Sequence, residues 1–145
     1  MLPIIQVSKT KMERRSMPQI DDVIAFVNFC RSQGFHYHKI TISPDRLTPR
    51  QNEINLGIVF QIIDKGLNTD EYPLLISKDL DICDGHHRWY AGKVQITEVV
   101  CYQVAASEYI MLKLAELFGA KHRRINAKEK KTFSPGKSIY FLKLL

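Results

Sequence analysis

Asp84-Gly85-His86-His87-Arg88, running on into Trp89-Tyr90-Ala91-Gly92, is the stretch on which the fold is read. It follows a short apolar run, Leu80 to Cys83, and opens a predicted helix over about residues 85–93. A glycine and three side chains able to hold oxyanions stand together at a helix start. Helix N-termini present backbone N–H groups and the positive end of the helix dipole, and both suit phosphate. The stretch therefore reads as a phosphate-binding turn.

The elements on either side follow from periodicity and punctuation. Before the turn, Tyr72–Ser77 and Leu80–Cys83 form two short strands around Lys78-Asp79, a hairpin pattern. After it, Glu98–Val104 reads as a strand and Ser107–Phe118 as an amphipathic helix with Ser107 as N-cap. Further out, Pro49-Arg50-Gln51-Asn52-Glu53 opens a helix with Ile54, Ile58 and Ile62 on its core face, closed by Gly66. His36–Ile42 is a strand broken by Ser43-Pro44-Asp45. A first helix runs from about Gln19 to Ser32, with Ile20, Val23, Ile24, Val27 and Cys30 on one face and Asp21 and Asp22 in its first turn. A strand near Ile4–Val7 precedes it, and a basic linker, a Ser134-Pro135-Gly136 turn and an apolar end, Ile139–Leu145, close the chain. The order β-α-β-α-β-β-α-β-α predicts a compact α+β domain, a small mixed sheet packed with helices.

Composition sets the wider frame. The length of 145 residues suits one continuous core, so residues 1–145 are expected to form a single domain. No apolar run approaches the roughly 18–20 residues that cross a bilayer, and no secretory leader is evident. Cys30, Cys83 and Cys101 are odd in number and embedded in apolar sequence, as reduced core thiols of a cytoplasmic protein would be. The net charge of +6 is unevenly spread: residues 21–120 carry 9 Lys and Arg against 13 Asp and Glu. Positive charge gathers at Lys9, Lys11, Arg14 and Arg15 and again over 121–131. Two basic flanks on an acidic body suggest a polyanion or a phosphorylated substrate, although such runs are as often solvated faces.

Three stretches, in order, resemble the ParB/sulfiredoxin superfamily. Ile40-Thr41-Ile42-Ser43-Pro44-Asp45-Arg46-Leu47-Thr48-Pro49-Arg50-Gln51-Asn52-Glu53 is similar to its first strand and the opening of its first helix. Pro73-Leu74-Leu75-Ile76-Ser77 resembles the strand before the hairpin, and Cys83-Asp84-Gly85-His86-His87-Arg88 its phosphate loop. The likeness spans about residues 38–104, flanked by a strand-helix extension over 1–37 and a helix and basic tail over 105–145. It implies a nucleotide-binding protein with Mg²⁺ and ATP or another nucleotide. Members hydrolyse CTP and load on DNA, phosphorylate free serine, phosphorylate an oxidised cysteine, or are described as nucleases. The sulfiredoxin loop carries a cysteine after its glycine, where this chain has His86, and Cys83 does not replace it. Partition proteins carry an arginine-rich loop and a following DNA reader, whereas only about 40 residues follow the shared span here. The D-G-H-H-R form instead resembles the small stand-alone members, including the free-serine kinases.

Each candidate residue has a chemical reason. Arg88 offers a planar fork for two phosphate oxygens. His87 donates to a further oxygen, Gly85 lets the phosphate approach the backbone, and His86 either donates to phosphate or faces the adjacent strand. Asp84 is either the helix N-cap or a carboxylate that holds Mg²⁺ or takes a proton from an acceptor hydroxyl. The resemblance makes Glu53 the catalytic base, with Gln51 on the same polar side as a nucleotide contact. Arg14 and Arg15 would clamp the phosphate or carboxylate of a substrate, or form a basic arm. His36 and His38 face one side of a strand without a third ligand. The expected activity is transfer or hydrolysis of a nucleoside triphosphate or diphosphate phosphoryl group, the acceptor left open, with a nucleotide and a small-molecule or nucleic-acid substrate as partners. The alternative is a ParB-like nuclease or DNA-binding protein that uses the same turn and residues 121–131. No membrane partner is expected.

Overall fold

In the computed structural model the described residues are 4–7, 11–13 and 16–122. In chain order the elements are β1 (Ile4–Gln6), β2 (Pro18–Gln19), α1 (Val23–Ser32), β3 (Tyr37–Ile42), a 3-10 turn (Pro44–Arg46), β4 (Thr48–Pro49) and β5 (Glu53–Asn55). Then come α2 (Leu56–Lys65), β6 (Leu74–Ile76), β7 (Asp81–Asp84), α3 (His86–Gln95), β8 (Val99–Val104), α4 (Glu108–Phe118) and β9 (Lys121–His122). Arg14, Arg15 and 123–131 lie outside the described residues.

A five-stranded sheet in the order β3-β8-β6-β7-β4 forms the middle layer. Its pairs are mixed: β3 with β8 and β6 with β7 are antiparallel, β6 with β8 and β4 with β7 parallel. Strand alternation distributes the side chains to two faces. Leu74, Ile76, Ile82, Val99 and Cys101 join Ile58, Val59 and Ile62 of α2 and Trp89 of α3 in one hydrophobic cluster. Leu75, Cys83 and Val104 join Phe26, Val27 and Cys30 of α1 and Met111 and Leu114 of α4 in the other. The chain is thus a mixed α+β fold with helices on both faces of the sheet. Among the described residues no helix is long and apolar enough to cross a membrane.

Two helices begin later than their periodicity suggests. α1 starts at Val23, because Asp22 caps it by accepting the Ala25 N–H at 3.0 Å, while Pro18 and Gln19 pair with β9. Ile24 is then half-exposed, and the buried face is Phe26, Val27 and Cys30. The second helix starts at Leu56, not Pro49. Asn55 Oδ1 accepts the Gly57 and Ile58 N–H groups at 2.8 and 3.3 Å, and Glu53–Asn55 is a strand antiparallel to β1. Tertiary partners claim the backbone of 50–55 and override its helical pattern: Met12 N–H donates to Arg50 O at 2.9 Å and Asn52 N–H to Met12 O at 2.8 Å. Ile54 is buried all the same, from a strand.

Candidate functional site

The turn between β7 and α3 is shaped by Gly85, which sits at φ +100° as the N-cap of α3. Asp84 is therefore the last residue of β7, not the cap, and no side chain caps α3. A Cβ on Gly85 would lie 2.9 Å from both Arg88 Nη2 and Leu74 Cγ, so the arginine folds back over the glycine. Left-handed φ and this close approach together require glycine. Further along α3, the Trp89 indole N–H donates to Pro44 O at 2.8 Å and fixes the helix against the 3-10 turn.

The two histidines point to one side and do one job. His86 Nε2 accepts the backbone N–H groups of Arg50 and Gln51 at 2.9 and 3.1 Å. His87 Nε2 accepts the N–H of Asn55 at 3.1 Å. An imidazole nitrogen that accepts carries no proton, so these Nε2 atoms do not donate to phosphate in this arrangement. The imidazoles thereby join α3 to the irregular segment 50–55, whose backbone donors have no ladder partners of their own on that side.

Asp84 and Arg88 lie on the other side. They form an ion pair of 3.5 Å between Oδ2 and Nη2, and Nη2 also donates to Pro73 O at 3.4 Å. Both are more than nine-tenths buried, at 5% and 8% exposed. They form part of the lining of a cavity of about 500 Å³ together with the start of α1, the loop 70–73 and Tyr102. Glu53 and Gln51 do not line it. Gln51 is buried, its amide donating to Glu53 O at 2.7 Å, and Glu53 stands on β5 opposite Gln6. Asp84, Gly85 and Arg88 are thus brought together, whereas Gln51 and Glu53 lie beyond the histidines.

Residues that motif reading passed over complete the surroundings. Arg50 is buried and ion-paired to Glu108 at 2.8 Å, at the first turn of α4. Burial pulls its pKa down, and the neighbouring Cys83 and Asp81 oppose that. Arg50 Nε and Asn55 Nδ2 are buried donors without a hydrogen-bond acceptor among the described residues, and both belong to residues whose N–H the turn's histidines hold. Their signal in the sequence was only proximity to the Pro49-Arg50 and Asn55-Leu56 junctions, which carries no chemistry by itself. The three cysteines are buried thiols. Burial pushes Cys83 and Cys101 up to about 12 and Cys30 to about 11, so none is a thiolate nucleophile near neutrality. Among the described residues no group of three or more His, Cys, Asp or Glu is arranged to hold a metal ion.

No protein-family model matches the chain, and no curated protein matches it in sequence. A solved Pnob8-like ParB-N domain is similar in structure, with a TM-score of 0.42 at 15% identity. That likeness covers 58% of this chain and 37% of the other.

Proposed function

We propose that the chain is a nucleotide-binding enzyme of the ParB/sulfiredoxin kind that transfers or hydrolyses a phosphoryl group. The observation that carries this reading is the start of α3. Beside a helix N-terminus without a side-chain cap, the nine-tenths-buried Arg88 and Asp84 line a cavity. Fixed N–H dipoles and a guanidinium form the environment that positions a transferring phosphoryl group. Arg88 binds phosphate oxygens through its fork, and Gly85 gives the guanidinium room to fold over the turn.

The donor set also fits Mg²⁺ in one particular way. Mg²⁺ is commonly held by one or two carboxylates plus substrate phosphates, not by an all-protein cage. Asp84 is the carboxylate beside the arginine, and Mg²⁺ supplies charge neutralisation when bound with a nucleotide. The buried donors Arg50 Nε and Asn55 Nδ2 are suited to anionic oxygens behind the turn.

The test is a thermal-shift screen of nucleoside di- and triphosphates and pyrophosphate, with and without Mg²⁺. A ligand at about a hundred times its Kd stabilises by about 2.7 kcal/mol, a rise of roughly 5–10 °C. Arg88→Lys keeps the charge beside Asp84 and removes the fork, and it is expected to abolish the rise. A flat response to every phosphate compound sinks the proposal.

A further inference from the structure

One long edge of the sheet has no strand beside it among the described residues. β3 stands first in the order β3-β8-β6-β7-β4, is six residues long, and is paired on one side only. The opposite edge, β4, is two residues long and ends in Pro49. Register tells which backbone groups of β3 face outward. Tyr37 lies opposite Val104, so His36 lies opposite Ala105, whose N–H donates to His36 O at 2.8 Å. Antiparallel pairs alternate between bonded and non-bonded residues. The backbone of His38, Ile40 and Ile42 therefore turns inward to β8, and that of Tyr37, Lys39 and Thr41 turns to the open edge.

This edge is basic on an otherwise acidic body. Residues 23–44 hold Arg31, His36, His38 and Lys39 and no Asp or Glu, whereas 21–120 as a whole carry 9 Lys and Arg against 13 Asp and Glu. Lys39 is exposed in the middle of the outward set, and the Arg31 guanidinium stacks on the Tyr37 ring at 4.5 Å. β8 behind them carries no charged residue. A second copy is a poor occupant, because an edge lysine laid antiparallel on its own counterpart brings like charges together. The chain's own stretch over 123–131 is basic as well. A DNA backbone offers acceptors only and leaves the outward carbonyls unmatched. An extended peptide offers donors and acceptors in alternation, and acidic side chains on it complement Lys39 and Arg31.

We infer that the β3 edge binds an acidic, extended segment of a partner protein, which adds to the sheet as a further strand. Its backbone pairs with Tyr37, Lys39 and Thr41, and its carboxylates lie beside Lys39 and Arg31. β8 and β6 separate this edge from β7 and the turn, so the inference is independent of the phosphate reading.

The experiment is a fluorescence-anisotropy titration of the whole chain with a labelled peptide of alternating glutamate and valine, followed by amide hydrogen exchange. The peptide is expected to bind and to protect the outward amides of Tyr37, Lys39 and Thr41, while those of His38, Ile40 and Ile42 stay as they are. Lys39→Glu turns an exposed attraction into a repulsion and is expected to weaken binding about tenfold. Thr41→Pro removes an outward N–H and spares the ladder to β8, a change that edge strands tolerate, and it is expected to weaken binding further. The same peptide methylated on alternate backbone nitrogens leaves the protein untouched and is expected not to bind. No binding, equal binding of the methylated peptide, or protection that arises away from β3 overturns the inference. So does displacement of the peptide from these amides by single-stranded DNA, or a self-association of the chain that Thr41→Pro removes.

Discussion

The two flanks of the turn are made from adjacent residues and do opposite things. On one flank, His86 and His87 are bonded through Nε2 to three backbone N–H groups of segment 50–55. On the other, Asp84 and Arg88 line a cavity and form an ion pair of 3.5 Å, while Arg88 also donates to Pro73 O at 3.4 Å. A motif of oxyanion-binding residue types thus divides into a half that holds the backbone of 50–55 and a half that lines the cavity. Residue type alone does not separate them. What does is whether the surrounding backbone has donors that need acceptors.

The comparison can be broken most forcefully at the residue both flanks share. Gly85→Ala places a Cβ 2.9 Å from Arg88 and Leu74 at φ +100°. Backbone strain and overpacking together are expected to cost roughly 3–5 kcal/mol, read as a lower urea midpoint. His86→Ala comes next. It leaves two N–H groups without the one nitrogen they share, about 1–2 kcal/mol each when buried, so roughly 2–4 kcal/mol in all. His87→Ala removes the acceptor of one, and about half that loss is expected. If either histidine variant keeps full stability, the structural half of the comparison fails.

Alkaline pH probes the sheet beneath the turn. Burial raises the Cys83 and Cys101 thiols from 9.0 in the reference state to about 12. The fold therefore favours the neutral thiol. That stability is fully present below pH 9 and falls as pH rises toward about 12. Between pH 8 and pH 10 the expected loss is about 1 kcal/mol per thiol, measured by denaturation at each pH. Replacement of both by alanine should shrink this loss and leave the share of Cys30, whose thiol is raised to about 11. The smallest effect on stability belongs to Arg88→Lys, under about 1 kcal/mol, because the charge beside Asp84 remains. Its expected loss of the nucleotide response, with a melt close to the parent's, gives the contrast with the histidines.

Much of the fold was legible from local pattern. The hairpin, the strand after α3 and the Ser107 cap are where alternation and capping chemistry place them. The helix predicted from Pro49 was not, although Ile54, Ile58 and Ile62 repeat at helical spacing. Met12, β1 and His86 bind its first residues as extended chain, and those partners lie 35 or more residues away in sequence. The same distance hid the roles of the histidines. Asp84 and Arg88 were legible because they are neighbours on one motif. The acidic lining of the cavity was not, since Asp22 comes from the start of α1 and Asp70 and Glu71 from the loop before β6, and each alone looks like an ordinary surface acid.

The pairing of β1 with β5 has a consequence for the order of assembly. Ile4 lies opposite Asn55 and Gln6 opposite Glu53, so a strand from the start of the chain backs the segment that His86 and His87 hold. Closing loops of that length is slow compared with forming local hairpins and helices. The β6–β7 hairpin and α3 are local and form without β1. The turn thus exists early, but its rear support arrives only when the chain's first strand returns. Completion of its surroundings is in this sense a late event of folding, set by residues far from the turn in sequence.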